Sequence, residues 1–264
     1  MSAGAIVLGW GDLALAALLV VVLVALLALL RLGMARPVAF AAARMAAQLA
    51  AVGFILEWIF DLQAAAGVAC LGALMVAIAG REVAARQRGA MRFGQAWLLG
   101  SSAMALSSAL VATMLLTIIQ PLPWWDPQYA IPLLGMLLGN TMNGIALGLE
   151  RAASGVRRSR TAIEARLLQG ASIKEALGPL RREAIGAALI PTVNGMAIAG
   201  LVSLPGMMTG QILAGAPPLE AVRYQILIWL GIAAGTGFGA VCAVQLLMRR
   251  LSDERERLRL DRLE

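Results

Sequence analysis

The chain has no histidine and only two cysteines, Cys70 and Cys242, both inside apolar stretches. The absence of histidine excludes Ser-His-Asp and Cys-His catalysis, and it removes imidazole as a metal ligand. Because the cysteines form no CxxC pair, we expect small buried residues rather than a disulfide or a zinc site. We therefore do not expect an enzyme.

Charged residues are also scarce, at 14% of the chain against about 25% in a typical soluble domain. Hydrophobic residues reach 60%, and the mean hydropathy is +0.81. The net charge of +7 would suit nucleic acid, but no basic and aromatic residues interleave as they do in such proteins. The composition instead indicates a protein of the lipid bilayer, with no nucleic-acid partner.

The basic residues are sorted along the chain. Except for Arg44 and Arg223, all 22 Lys and Arg residues lie in four segments that occupy every second gap between apolar stretches: 31–36, 81–92, 151–182 and 249–262. Lys and Arg near span ends stay in the cytoplasm, so this pattern predicts an external N-terminus and a cytoplasmic C-terminus. Residues 1–11 carry no basic residue, and we interpret the first apolar run as a span rather than a cleaved leader.

The predicted fold is all-α, a polytopic membrane protein with about seven transmembrane helices in a single permease domain, 1–264. A membrane helix needs about 20 mostly apolar residues. The predicted spans are 12–31, 38–59, 64–80, 93–119, 131–149, 185–204 and 225–248. The segment 120–130 is rich in Pro and Trp and is expected to be an external loop. The tail, 249–264, mixes charges of both signs and is predicted to be a solvated cytoplasmic helix.

The largest cytoplasmic segment, 150–184, is predicted to be mostly helical. Ser172 and Glu175 have the spacing of a capping box, and Gly178–Pro179 is expected to stop the helix that they begin. Before them, residues 164–170 (EARLLQG) resemble the cytoplasmic loop of ABC importer permeases that docks on the ATPase. Glu164, Ala165 and Gly170 match the importer pattern, and Arg166 replaces its second Ala; the resemblance makes all four the predicted ATPase-coupling residues. The alternative is an ordinary amphipathic helix lying on the membrane.

Polar side chains at membrane depth are candidates for a substrate pathway. Asn140, Thr141 and Asn143 lie between two GxxxG pairs in the fifth span, where they either line a pathway or join helices by hydrogen bonds. A helix break is predicted at Pro205–Gly206, and the segment after it is either re-entrant or an external loop. The pathway candidates near this break are Asn194, Ser203, Pro205, Gly206, Met207, Met208, Thr209 and Gln211.

Two pairs of side chains are weak candidates for metal ligands. Met207 and Met208 carry soft thioethers, although paired methionines more often serve packing. Glu57 and Asp61 lie four apart near a span end, so both side chains can share one helix face. We prefer an interfacial acidic pair as the interpretation of Glu57 and Asp61.

Two long blocks carry a family resemblance. Residues 189–226, which include LIPTVNGMAIAGLVSLPGMMTGQILAG, and GMLLGNTMNGIALGL at 135–149 resemble the FetB-type ABC transporter permeases. The resemblance implies an inner-membrane subunit that exports iron, works as a homodimer and depends on a separate ATPase that binds ATP and Mg. It extends to plant aluminium-tolerance proteins, which are linked to nucleotide sugars. The resemblance thus implies an ABC permease more firmly than it implies iron.

The chain itself has no GxxxxGK[ST] phosphate-binding loop and is expected to bind no cofactor. The alternative to an ABC permease is an ATP-independent secondary transporter or channel. Such carriers usually hold charged residues within their spans, and few are present here, which disfavours this alternative.

Overall fold

A computed structural model describes residues 9–62, 64–87, 91–253 and 255–263. Within these ranges the chain forms α-helices, one 3₁₀ turn (Leu260–Arg262) and no strand, which confirms the all-α class. The helices are α1 (Trp10–Leu29), α2 (Ala35–Leu62), α3 (Ala65–Arg86), α4 (Phe93–Ile119), α5 (Pro127–Arg158), α6 (Arg160–Leu168), α7 (Ile173–Ile198), α8 (Gly206–Leu213) and α9 (Pro218–Arg250).

Six of these helices, α1 to α5 and α9, are long and apolar enough to cross a membrane. The chain is therefore a polytopic membrane protein. The seventh predicted span, 185–204, falls on the second half of α7, which starts at Ile173 and ends at Ile198. α7 is outside the set of six, so the seventh crossing and the orientation stay predictions.

The chain divides into two compact units. The first consists of residues 1–64 with 213–216, and its described helices are α1 and α2. α1 is apolar on every side and buries none of its residues, as expected for a helix whose solvent is lipid. The second unit consists of 65–212 with 217–264, and it contains α3 to α7, most of α8, and α9.

Glycines set the spacing of α5 and α9 in the second unit. A Cβ added at Gly144 would lie 2.5 Å from Thr236 Cγ2, and one added at Gly239 would lie 2.6 Å from Thr141 Cγ2. Small residues let helix backbones approach closely, so the predicted pair Gly144–Gly148 acts as a helix contact. At Gly139, by contrast, an added Cβ would meet nothing within 4 Å.

The predicted helix stop at Gly178–Pro179 is wrong, because α7 continues through Pro179 and Pro191. Each proline removes one backbone hydrogen bond from the helix. α7 gains contact with α5 in return: Ala184 and Ala188 are completely buried, and Ala188 Cβ would lie 3.2 Å from a Cβ added at Gly148. Tertiary packing here outweighs a local signal that ends many isolated helices.

The predicted helix in the C-terminal tail is also wrong. α9 ends at Arg250, and the described residues of the tail fold back, with the Arg259 backbone N–H donating to the Leu251 carbonyl at 2.8 Å. Arg262 Nη1 donates to the Arg250 and Ser252 carbonyls at 2.9 and 3.0 Å. Leu251 and Leu263 are buried in the main core. Burying leucines stabilises more than the exposed ion pairs that a solvated helix would provide.

Candidate transport pathway and coupling segment

A pocket of about 290 Å³ opens where α8 meets the beginnings of α5 and α9. We call it the α8 pocket. Its polar and sulfur-bearing lining consists of Gln128, Tyr129, Met136, Met207, Gln211 and Tyr224, with apolar residues of α4, α5 and α9 completing the wall. Its volume lies near the lower end of the range for small-molecule sites.

α8 is held in place by one buried amide. The backbone N–H of Met208 donates to Gln225 Oε1 of α9 at 3.3 Å, and Gln225 is buried. Pro205 supplies a carbonyl that accepts from the Thr209 backbone N–H and hydroxyl at 3.0 and 3.2 Å. Met207 packs against the apolar cluster of α4, α5 and α9. α7 and α8 are thus separate helices, with the predicted break at Pro205–Gly206 marking the start of α8.

The polar and sulfur-bearing side chains that line the α8 pocket are neutral. Its lining, as far as the structure describes the chain, combines amides, phenols and thioethers and contains no carboxylate. Gln211 Oε1 is buried and has no hydrogen-bond partner among the described residues. A buried acceptor without a partner carries a free-energy cost that a bound donor would remove. This arrangement can recognise hydroxyl or amide donors by hydrogen bonds and a soft metal by sulfur.

The asparagines of α5 are bonded elsewhere. Asn140 Nδ2 donates to the Met136 carbonyl of its own helix at 2.8 Å. Asn143 Oδ1 accepts from Arg86 Nη1 of α3 at 2.8 Å, so it joins two helices. Thr141 is completely buried against α9, and its hydroxyl has no partner among the described residues. The structure does not bring these three side chains to the α8 pocket.

The other pathway candidates divide at the helix break. Asn194 is exposed on α7, and Ser203 is exposed in the turn before α8, where its carbonyl accepts from the Gly200 N–H at 2.9 Å. Pro205 and Gly206 shape the start of α8, and Met208 and Thr209 are partly buried on it outside the pocket lining. Of the candidates predicted here, only Met207 and Gln211 line the α8 pocket.

The metal candidates are not gathered into a site. Glu57 and Asp61 are both exposed on α2. Among the described residues, no group of three or more His, Cys, Asp or Glu side chains is placed to hold a metal ion. Met207 lines the α8 pocket together with Met136, whereas Met208 does not.

Sequence reasoning missed Gln128, Tyr129, Met136, Tyr224 and Gln225. Residues 120–130 were interpreted as a loop, but Asp126 caps α5 by accepting from the Gln128 N–H at 2.9 Å, so the helix already begins at Pro127. The available signal was the polar first turns of two long apolar helices. The sequence pattern alone does not assign Tyr and Gln at such positions to the lipid, to the core or to a pocket.

The coupling segment contains α6 and the turn that follows it. Glu164 pairs with Arg160 at 2.8 Å, Ala165 and Arg166 are exposed, and Ile163 anchors the helix in the core. The turn is a Schellman motif: the Gly170 N–H donates to the Leu167 carbonyl at 3.0 Å, and the Ala171 N–H donates to the Arg166 carbonyl at 3.1 Å. Gly170 has φ +88°, which explains a glycine there.

Leu168 stands out on α6. It is 90% exposed at the last position of the helix, although it belongs to the apolar pattern that predicted the helix. The fixed turn at Gly170 and the buried Ile163 hold it outward. An apolar side chain held outward on a helix is the kind of anchor that enters a hydrophobic groove on another protein.

α7 begins with the predicted capping box, which is confirmed. Glu175 accepts from the Ser172 backbone N–H at 2.8 Å, and the Glu175 N–H donates back to Ser172 Oγ at 3.3 Å. Glu256 of the tail accepts from the Ile173 N–H at 3.2 Å. The hydrogen bonds from Ser172 lower the pKa of the Glu175 carboxyl. We call this region, 170–177 with 249–263, the tail end.

A carboxylate in the tail ties its turn together. Asp253 accepts from the Arg257 backbone N–H at 2.9 Å and forms an ion pair with the Arg257 guanidinium at 3.0 Å. These contacts, led by the backbone hydrogen bond, lower the pKa of the Asp253 carboxyl. The tail is therefore a folded cap on the start of α7.

Comparisons with known proteins agree with this architecture. The chain is 41% identical to UPF0014 membrane protein slr1647 of Synechocystis over 95% of this chain and 96% of the relative. It is 32% identical to the Probable iron export permease protein FetB of Escherichia coli over 94% and 93%, and 31% identical to Protein ALUMINUM SENSITIVE 3 of Arabidopsis thaliana over 81% and 77%. No solved structure matches the chain significantly.

The profile of one family matches residues 10–252, nearly the whole described chain. The Synechocystis relative is named a membrane protein and the Escherichia coli relative a permease, which agrees with six apolar helices and supports a role in transport. The chain is therefore a multi-pass membrane protein that belongs to the family described as Uncharacterised protein family (UPF0014).

Proposed function

We propose that this chain is the transmembrane subunit of an ABC transporter that exports a metal, with iron as the first candidate. Two copies form the pathway. A separate ATPase subunit, which binds ATP and Mg, drives alternating access of this pathway to the two sides of the membrane. The observation that carries this proposal is Leu168, an exposed apolar side chain held on the coupling segment between two fixed helix ends.

Charge supports the same arrangement. The coupling segment and the tail end lie in the two longest of the basic stretches, which the positive-inside rule assigns to the cytoplasm. An ATPase subunit is found on that side of the membrane. The α8 pocket lies at the other ends of α5 and α9, so it opens on the external side of this arrangement.

Assembly with an ATPase tests the proposal directly. The full chain is co-expressed and purified with a GxxxxGK[ST]-containing ATPase subunit, and Leu168→Asp is compared with Leu122→Asp. Leu122 is 93% exposed in the turn before α5, so both variants place one carboxylate on an exposed leucine without touching the core. We expect Leu168→Asp to lower ATPase recovery about tenfold and Leu122→Asp to leave it unchanged.

Equal recovery in both variants contradicts docking at Leu168. Transport by the purified chain in liposomes without ATPase or nucleotide contradicts the whole proposal and favours the secondary transporter or channel. Gly170→Ala tests the same contact through the turn, because it strains the backbone at φ +88° and so loosens the turn that holds Leu168 outward, and a variant at Glu164 tests the neighbouring side chain of α6.

The name of the Escherichia coli relative supports iron as the exported metal. The α8 pocket supplies neutral amides, phenols and thioethers, whereas iron favours carboxylate or imidazole ligands. A nucleotide sugar is therefore the second candidate, because its hydroxyls match the amides and the unpartnered Gln211 acceptor.

Stimulation of ATP hydrolysis separates the two substrates. The reconstituted complex is titrated with ferrous iron, other divalent metals and nucleotide sugars. Stimulation by ferrous iron supports iron export, and stimulation only by a nucleotide sugar overturns it.

A further inference from the structure

A second, smaller cavity of about 70 Å³ lies at the tail end, between α7, α9 and the tail. Among the described residues, its lining includes three cations, Lys174, Arg181 and Arg249, and no carboxylate. Arg181 Nη1 is held toward α9 by Gln245 Oε1 at 3.4 Å. Three like charges around one small space repel one another unless an anion joins them.

The described acidic residues form no ion pair with these three cations. The carboxylate of Glu256 accepts a hydrogen bond from the Ile173 backbone N–H at 3.2 Å. Lys174 also stands in the first turn of α7, where the helix dipole is positive and adds to the repulsion.

The cavity has an apolar side as well as a cationic one. Leu177 and Met248 belong to its lining. The stretch 226–248 of α9 has no charged residue and is long enough to cross the ~30 Å hydrocarbon layer, so Arg249 lies where lipid headgroups begin. A cationic cavity with an apolar wall at this depth fits an amphiphile better than a free ion.

We propose that this cavity binds the phosphate headgroup of an anionic phospholipid from the cytoplasmic leaflet. The three cations hold the phosphate, and Leu177 and Met248 contact the glycerol and the first acyl carbons. The lipid then links the end of α9 to the start of α7. This site is separate from the α8 pocket and does not depend on the identity of the exported substrate.

Native mass spectrometry of the full chain in detergent tests the site, with phosphatidylglycerol, phosphatidylcholine and inorganic phosphate as probes. Two variants remove equal positive charge. The cavity variant carries Lys174→Gln, Arg181→Gln and Arg249→Gln. The control carries Arg158→Gln, Arg182→Gln and Arg255→Gln, which are exposed cations outside the cavity lining.

We expect the cavity variant to bind phosphatidylglycerol about tenfold more weakly than the control, with phosphatidylcholine binding unchanged in both. Equal losses in the two variants overturn the proposal, because only general surface charge would then matter. Displacement of phosphatidylglycerol by millimolar inorganic phosphate also overturns it and assigns the cavity to a free anion. Should the triple variants not fold, Arg249→Gln against Arg255→Gln gives the same comparison, with a smaller loss expected only for Arg249→Gln.

Discussion

The two ends of α9 are built in different ways. At the α8 pocket, α8 is fastened to α9 by a single buried amide, Gln225, and a pocket of about 290 Å³ stands beside it. At the tail end, the start of α7 is fixed by its own capping box and by Glu256, and Arg262 donates to the carbonyls of Arg250 and Ser252 at the end of α9. The cavity there is only about 70 Å³.

Under the proposed function, this difference corresponds to two tasks of the transport subunit. A surface that transmits force to the proposed ATPase has to be stiff, and hydrogen bonds from several elements rigidify the tail end. A segment that opens and closes on a substrate has to be drawn from the less stable part of a fold. α8, with few polar contacts and an adjacent pocket, meets that condition.

The largest expected effect concerns the helix contacts between the two ends. Gly144→Ala places a Cβ 2.5 Å from Thr236 Cγ2 and 3.2 Å from the Ala188 carbonyl, so α5 and α9 must move apart. We expect a loss of about 1–3 kcal/mol in the free energy of unfolding. The measurement is thermal unfolding of the purified protein in detergent.

Gly139→Ala is the matched control, because an added Cβ there meets nothing within 4 Å. Alanine is the better helix former by about 1 kcal/mol, so this variant is expected to be unchanged or more stable. Equal destabilisation of both variants would show that close packing is not confined to the half of α5 nearer the tail end.

Sequence patterns predicted the helices well and their ends poorly. Apolar runs predicted seven spans, and six of them coincide with helices long and apolar enough to cross a membrane, because the bilayer imposes length and composition directly on the chain. The capping box at Ser172 was equally local and is confirmed. The continuation of α7 through Pro179 was missed, because it depends on contacts with α5 that lie far away in sequence.

The candidate site was predicted only in part for the same reason. Met207 and Gln211 were identified from the unusual composition around the helix break. Tyr129 and Tyr224 line the same pocket but come from two other helices, so no local motif joins them to α8. Asn143 looked like a pathway residue, yet its partner is Arg86 of α3. Which polar residues meet is a property of helix packing.

A medium effect is expected at the α8 pocket, where two glutamines should respond in opposite directions. Gln225→Leu leaves the Met208 N–H without its acceptor and is expected to cost about 1–2 kcal/mol of unfolding free energy. Gln211→Leu removes a buried acceptor that has no partner among the described residues, and it is expected to raise the unfolding temperature.

Both changes are expected to weaken stimulation of ATP hydrolysis by substrate in the reconstituted complex. If the Gln211→Leu protein is more stable but substrate no longer stimulates ATP hydrolysis, then the Gln211 side chain serves binding rather than folding. If Gln211→Leu is instead destabilised like Gln225→Leu, the amide has a structural partner, and the contrast between the α8 pocket and the tail end weakens.

The smallest effect is a pH dependence at the tail end. The pKa of Glu175 lies below its ordinary 4.5 in the folded protein, chiefly because the Ser172 N–H donates to the carboxylate. The unfolded chain therefore takes up a proton first as the pH falls, and the stabilisation present above pH 4.5 is lost below it. Glu175→Gln removes this stabilisation by the ionised carboxylate. The unfolding temperature of the variant should therefore lie below that of the wild type at pH 7 and converge with it in acid. Ser172→Ala should show the same convergence, because it breaks the other half of the capping box. A difference in unfolding temperature between variant and wild type that stays constant across the pH range would mean that the Glu175 charge does not stabilise the start of α7. The stiffness of the tail end would then rest on Glu256 and Arg262.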